Sequence, residues 1–232
     1  MISKFRIGAL VIILNFFASV TTTWGQDNIS LLQMAVPSLN IAPDARGGGM
    51  GDMGAATLPD INSQYWNAAK YAFMGSKAGV SLSYTPWLRK LVNDVALVNM
   101  TGYYKLGNSD LQAVSASLRY FSLGEVNIWE NIGDVPYGLN PYEMAFDVAY
   151  SRKLSESYSM AVTLRYIRSD MGTDQNDESN AGNAFAADIS GYLEKYVLMG
   201  NAEALWSFGF NLSNIGSKIS YDGGNTNQYL PA

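Results

Sequence analysis

The sequence predicts an all-β fold: a transmembrane antiparallel β-barrel of which this chain holds the N-terminal part, about seven strands. From about residue 79 the chain divides into segments of roughly six to ten residues in which apolar and polar side chains alternate. Only 15% of the residues are charged, against about 25% in an ordinary soluble domain, and the chain carries 15 Tyr and 22 Gly. The connections between segments alternate between long and short, which is typical of barrels with extracellular loops on one rim and periplasmic turns on the other.

The first 25 residues have the order of a cleavable secretory signal. Lys4 and Arg6 supply positive charge, residues 7–20 are largely apolar, and a short polar stretch follows. The alternative is a membrane-spanning anchor, but that requires roughly 20 apolar residues and this run is shorter. We therefore expect residues 1–25 to be a signal peptide and the mature chain to start at Gln26.

Composition excludes several classes of function. The 232 residues include no Cys and no His, so disulfide frameworks, thiolate metal sites and Ser-His-Asp or Cys-His catalysis are impossible. The net charge is −5, and loss of the two basic residues in the signal would lower it to about −7. An acidic chain has no electrostatic reason to bind nucleic acid. We therefore expect a protein that is not an enzyme and needs no cofactor.

Seven segments are predicted as strands. One face of each is apolar and often ends in Tyr or Phe, and the other is small, polar or charged. A soluble β-sandwich would show the same alternation with its apolar face turned inward, whereas a membrane barrel turns that face to lipid. The predicted strands are residues 79–84, 95–104, 111–120, 144–153, 160–167, 185–194 and 205–213.

Three charged residues share the polar face of neighbouring predicted strands. Asp147 lies in the fourth strand, Arg165 in the fifth and Asp188 in the sixth. Side chains on one face of adjacent strands lie within reach of each other. We expect these three to form ion pairs with a structural role.

The connections distinguish the barrel from the sandwich. Three are long, two are short, and the one after the sixth strand, residues 196–201, is intermediate and fits the alternation less well. This alternation favours a membrane barrel, since its two rims carry connections of different length. The long connections are residues 85–94, 121–143 and 168–183, and the short ones are residues 105–110 and 154–158.

Two regions lie outside the regular strands. Residues 26–78 are rich in Gly, Ala and Met and are too apolar for a disordered tail, so a plug-like segment folded into the barrel is expected. The N-terminal half of the barrel would then span residues 79–232. Seven strands do not close a barrel, and residues 217–232 end in a loop-like run. Truncation is the simplest explanation, and a barrel completed by a partner is the alternative.

Residues 49–54, Gly-Met-Gly-Asp-Met-Gly, match the glycine pattern of dinucleotide-binding loops. That reading requires a preceding strand and a following helix, and residues 40–46 contain a proline and no strand pattern. Closely packed, flexible backbone is the preferred interpretation.

The two longest connections are the candidate partner-binding loops. Exposed aromatic residues are common in protein interfaces, although a girdle at the membrane rim is an equal alternative for them. The acidic residues of the second loop lack the ligand order of a calcium site, so a solvated loop is preferred. The candidate contact residues are Trp129, Glu130 and Tyr137 in the first loop and Asp174, Asp177 and Glu178 in the second.

Residues 44–51, Asp-Ala-Arg-Gly-Gly-Gly-Met-Gly, followed by Trp-Asn-Ala-Ala at 66–69, resemble the start of the FadL-like barrels. Ala68 stands where those barrels commonly carry Pro. With residues 208–216, Phe-Gly-Phe-Asn-Leu-Ser-Asn-Ile-Gly, the chain is more closely similar to the PorV family of barrel subunits in the type IX secretion system of Bacteroidetes.

This resemblance implies a 14-stranded outer-membrane barrel and a shuttle role in secretion. Its partners would be outer-membrane lipid, a large secretion translocon, secreted cargo with C-terminal signal domains, and a surface sortase complex. Two other functions stay open: a FadL-type transporter of hydrophobic small molecules and a soluble adhesin-like sandwich. The mostly small, polar or charged residues on the polar face favour the secretion role over a path for an apolar substrate.

Overall fold

In a computed structural model, the sheet and the segment before it are described for residues 35–87, 89–90, 94–107, 111–129, 136–172, 181–200, 202–221 and 228–231, with the backbone alone for Ile128 and Tyr137. All of these residues belong to one compact unit, Gln33–Ala232. The expected signal peptide lies outside the described residues.

Seven long strands form one antiparallel sheet that curls into a half-barrel. They pair in the order β1-β2-β3-β6-β7-β8-β9, and a separate short hairpin of β4 and β5 interrupts the connection between β3 and β6. The all-β prediction and its seven strands are confirmed. The strands are β1 Ala78–Pro86, β2 Val95–Leu106, β3 Gln112–Leu123, β4 Val126–Ile128, β5 Tyr137–Leu139, β6 Tyr142–Lys153, β7 Tyr158–Asp170, β8 Gly182–Met199 and β9 Ala202–Gly216.

The strands are longer than the alternating pattern predicted, and this corrects one connection. The intermediate connection expected at 196–201 is wrong, because β8 and β9 stay paired as far as Met199 and Ala202. Gly200 has a φ of 66°, a left-handed conformation that glycine adopts readily in a tight turn. The sequence did not predict these strand ends, because apolar and polar side chains stop alternating there while the backbones of β8 and β9 remain paired.

With this correction the connections alternate throughout. One rim of the sheet, the long-connection rim, carries residues 87–94, 124–141 and 171–181. The opposite rim, the short-connection rim, carries residues 107–111, 154–157 and 200–201. This regularity is typical of membrane barrels.

The two faces of the sheet differ as predicted, and it is the polar face that is covered. Buried Asn99, Thr101, Ser117, Asp147 and Arg165 lie on the polar face. A sandwich would bury its apolar face instead, so the exposure of that face favours a barrel turned to lipid. Large exposed side chains of the apolar face include Val80, Leu82, Met100, Leu118, Phe146, Val148, Val162, Leu164, Phe208 and Leu212.

The segment before β1 covers the polar face with short helical turns. These are Pro37–Asn40, Ala45–Gly49, Ser63–Trp66 and Ala68–Phe73, of which the first and last are 3₁₀ helices. Among the residues described, no helix is both long and apolar enough to cross a membrane. We call residues 35–77 the covering segment.

Two apolar clusters hold the covering segment against the sheet. At the short-connection rim, Ala69 and Tyr71 pack on Tyr103, Ala149 and Tyr192. Each aromatic side chain buried here removes a large apolar area from water. Near the long-connection rim, a second cluster joins Ala35, Val36 and Leu39 to Ala145, Ile167, Ala184, Ala186 and Ile219.

Candidate functional site

A buried charge cluster occupies the centre of the polar face. Arg165 in β7 pairs in register with Asp147 in β6, and its Nε donates to Asp147 Oδ1 at 2.6 Å. Its Nη2 donates to Asp188 Oδ2 in β8 at 2.9 Å. The three side chains are nearly inaccessible to solvent, so the pairing is what makes their burial tolerable. The predicted ion pairs are confirmed.

An irregularity in β9 brings a fourth residue to this cluster. Between the pairs Ala187–Ile215 and Ile189–Leu212, β9 contains one extra residue. Asn214 there has a φ of 58°, and its backbone N–H donates to Asp188 Oδ1 at 2.7 Å. Its side-chain oxygen accepts from Arg165 Nη1. A β-bulge redirects a side chain in this way, and asparagine tolerates the left-handed conformation better than most residues.

Each member of the cluster has hydrogen-bond partners. Ser117 Oγ in β3 donates to Asp147 Oδ2 at 3.0 Å, so the network from Ser117 to Asn214 spans five strands of the sheet. Asp147 and Asp188 both accept hydrogen bonds from the single guanidinium of Arg165. The arrangement ties these strands to each other on the polar face.

A second polar group ties the covering segment to the sheet near the long-connection rim. Arg119 Nη1 in β3 donates to the carbonyl oxygen of Ser38 at 2.8 Å, and the Ser38 N–H donates to Glu143 Oε2 in β6 at 3.0 Å. The Arg119 guanidinium also lies 4.5 Å from the centre of the Tyr65 ring. Ser38 is therefore held from both sides, and Tyr65 provides a cation–π contact.

Further hydrogen bonds join the covering segment to β3 again and to three other strands, β7, β8 and β9. Ser115 Oγ in β3 contacts Gln64 Oε1 at 2.6 Å, and Asn67 Nδ2 donates to the carbonyl of Gly191 in β8 at 2.9 Å. Because these contacts are spread over several strands, the segment has a defined position on the polar face. Two more bonds complete the set: Ser159 Oγ in β7 to Ala69 O, and Ser207 Oγ in β9 to Ala56 O, both at 2.7 Å.

Inside the covering segment, Trp66 and Lys70 organise the glycine-rich stretch. A Cβ at Gly54 would lie 2.1 Å from the Trp66 ring, so the close packing expected of the 49–54 motif is present at Gly54. Lys70 is fully buried, and its Nζ donates to the carbonyl of Gly54 at 2.8 Å. Burial lowers the pKa of Lys70 to about 8, partly offset by the charge of Asp60.

A cavity of about 670 Å³ lies between the covering segment and the sheet. Met53, Tyr65 and Trp66 line one side, while Arg119 and Arg165 line the other. Apolar and charged walls therefore face each other. This is not the continuous apolar lining that a hydrophobic substrate prefers.

Two of the predicted contact residues, Trp129 and Tyr137, fall among the described residues, in the connection between β3 and β6. Trp129 follows β4 on the long-connection rim and is 60% exposed, and Tyr137 begins β5, where its backbone pairs with Ile128. A hairpin within the expected loop was not predicted, since its strands are three residues long. Glu130, Asp174, Asp177 and Glu178 lie outside the described residues. Among the residues that are described, no group of three acidic side chains is placed to hold a metal ion.

Sequence reasoning missed Arg119, Glu143 and Asn214 as contact-forming residues. Arg119 and Glu143 fall on the polar face by their period-2 position, which was a usable signal. Their partner Ser38 could not be found, because period-2 alternation does not extend into the covering segment. Asn214 was hidden by the bulge, which breaks the alternation at that point.

An antiparallel half-barrel with an apolar outer face and a packed polar inner face defines a β-barrel protein. The comparison with known families agrees: a family described as "Type IX secretion system protein PorV" matches residues 24–232. The chain therefore belongs to the PorV family and is a component of the type IX secretion system. No curated protein matches the chain.

Proposed function

We propose that the protein is a non-enzymatic shuttle of the outer membrane. It binds the secretion translocon, receives cargo that carries a C-terminal signal domain, and passes the cargo to the sortase complex at the cell surface. Family membership supports the secretion role, and the exposed apolar face of the sheet supports a location in lipid.

The observation that carries the proposal is the anchored covering segment. Hydrogen bonds from β3, β6, β7, β8 and β9 hold it on the polar face, and apolar clusters lie near both rims. We infer that it acts as a plug in the barrel. A plugged barrel suits a carrier that recognises proteins by its outer loops, since cargo then has no reason to enter the lumen.

The long-connection rim is the proposed contact surface. Trp129 projects from the β4–β5 hairpin and is more than half exposed, and Glu130 and Tyr137 belong to the same connection. We propose that these residues contact protein partners, together with Asp174, Asp177 and Glu178 of the next long connection. Exposed tryptophan is a frequent anchor in protein interfaces.

An affinity pull-down of the tagged full-length protein from detergent-solubilised outer membranes tests this function. The proteins that co-purify are identified by mass spectrometry, and a very large membrane protein together with secreted cargo is expected. Trp129→Ala should lower their recovery severalfold. Leu154→Ala is the matched control, because Leu154 is 58% exposed in a turn on the opposite rim. Recovery of the barrel alone, or with lipid only, would favour the transporter function instead.

A further inference from the structure

One arginine lies on the apolar face where a lipid-facing surface ordinarily excludes charge. Arg168 in β7 falls on the outward side of the sheet, in register with Met144 of β6 and Asn183 of β8. On the same side of β7, Tyr166, Leu164 and Val162 precede it. A charged side chain is costly at the middle of a bilayer and far less so near the interface with water.

The register of the sheet places Arg168 at the edge of the apolar band. Arg152, the outward arginine of β6, pairs with Met160, which precedes Arg168 by eight residues along β7. At about 3.3 Å per residue the two arginines lie about 26 Å apart along the strand, and strand tilt reduces the height to about 20 Å. This is close to the apolar band of about 25 Å in outer-membrane barrels, so both arginines lie at headgroup depth.

Aromatic residues hold the guanidinium of Arg168 in place. Its Nε donates to the Tyr142 hydroxyl at 3.1 Å, and the Tyr142 ring stacks on Tyr120 with 5.5 Å between ring centres. The Tyr166 hydroxyl also hydrogen-bonds to the guanidinium. Arginine has five N–H donors, so these two tyrosine contacts leave others for a ligand. Asp170 lies two residues beyond Arg168, at the end of β7. Its carboxylate accepts a hydrogen bond from the Gly172 N–H. The fork of the guanidinium is thus oriented with donors still available.

We propose that Arg168 binds a phosphate group of the phosphorylated glycolipid in the outer leaflet, with the Tyr120–Tyr142 pair beside its acyl chains. The ligand is anionic because the available donors belong to a permanent cation, and two Nη groups match the oxygens of a phosphate. It is a membrane lipid because the site is continuous with the apolar face. The long-connection rim carries the loops expected outside the cell, which selects the outer leaflet. The inference rests on the proposed outer-membrane location but not on the shuttle step.

Binding of diphosphoryl lipid A to the purified full-length protein in neutral detergent tests the site, with the bound fraction measured by native mass spectrometry. Arg168→Gln should weaken binding about tenfold, and Arg168→Lys, which keeps the charge but loses the paired Nη donors, should weaken it less than that. Arg152→Gln is the matched control, an outward arginine at the opposite rim, and should leave binding unchanged. Tyr142→Phe keeps the charge but removes the orienting hydroxyl, and should weaken binding about twofold to threefold.

Lipid A stripped of both phosphates should bind equally to the wild type and Arg168→Gln. Heat-modifiable migration on gels verifies that each variant is folded. The proposal is overturned if Arg168→Gln binds diphosphoryl lipid A as the wild type does, or if Arg152→Gln weakens binding equally. It is also overturned if Arg168→Gln loses only a protein partner in the pull-down. Because the lipid measurement needs no partner, it can fail or succeed independently of the shuttle role.

Discussion

The backbone N–H of Asn214 donates to the Asp188 carboxylate across 2.7 Å, at the point where one extra residue in β9 shifts its register with β8. The bulge thereby completes the charge cluster, because Asp188 already accepts from Arg165. The left-handed backbone at Asn214 and the buried charges of Asp188 and Arg165 therefore depend on each other, and a substitution can test each of them separately.

Replacing Asn214 separates its backbone from its side chain. Both Asn214→Gly and Asn214→Ala lose the contacts with Arg165 and the carbonyl of Pro231. Alanine also pays the cost of a left-handed conformation, about 1–2 kcal/mol, which glycine avoids. We expect Asn214→Ala to be less stable than Asn214→Gly by about 1 kcal/mol, measured by urea unfolding in lipid vesicles. Equal stability of the two variants would show that the backbone conformation carries no cost.

Replacing Arg165, the cation of the charge cluster, should destabilise the protein far more than replacing Asn214. Arg165→Met leaves Asp147 and Asp188 buried without a positive partner, so we expect a loss of about 3–5 kcal/mol in the free energy of unfolding. Adding Asp147→Asn and Asp188→Asn to this variant should recover a large part of the lost free energy of unfolding, since no buried charge then remains unpaired. Lys195→Met, at an exposed position in β8, is the control. If Arg165→Met unfolds at the same urea concentration as this control, the cluster does not stabilise the sheet.

The sequence predicted this cluster because charged residues at period-2 positions in neighbouring strands must share a face. It also predicted the seven strands, from alternation and turn composition. It could not predict Asn214, since a bulge is set by pairing between strands rather than by local preference. The helical turns of the covering segment were likewise hidden, because turns such as Ser63–Trp66 are too short to show a 3.6-residue period.

The contact between the covering segment and β9 should be sensitive to one methyl group. A Cβ at Gly209 would lie 2.0 Å from the carbonyl oxygen of Ala55, so backbone must move to accept it. We expect Gly209→Ala to displace residues 54–57 and to increase their amide hydrogen exchange at least tenfold. Gly75→Ala is the control, since nothing lies within 4 Å of a Cβ there. Unchanged protection in Gly209→Ala would mean that this contact does not hold the segment.

Lys70 should make stability depend on alkaline pH. Its pKa is about 8 in the folded protein, against about 10.4 in an unfolded chain. Between these values the unfolded chain binds more protons, so stability should rise as the pH increases from 8 to 10.4 and should be insensitive to Lys70 below pH 8. Lys70→Met should remove this increase, measured as the difference in unfolding free energy between pH 8 and 10. An identical pH profile in the variant would contradict the burial of a charged Lys70.

The shuttle itself is tested most directly by following cargo through its complexes. Membranes carrying the tagged full-length protein are sampled after a short pulse of labelled cargo, and the native complexes are separated by size before mass spectrometry. We expect labelled cargo first in a complex of this protein with the translocon, and later in a separate complex of this protein with the surface sortase. Cargo that reaches the sortase without ever co-migrating with this protein would contradict it.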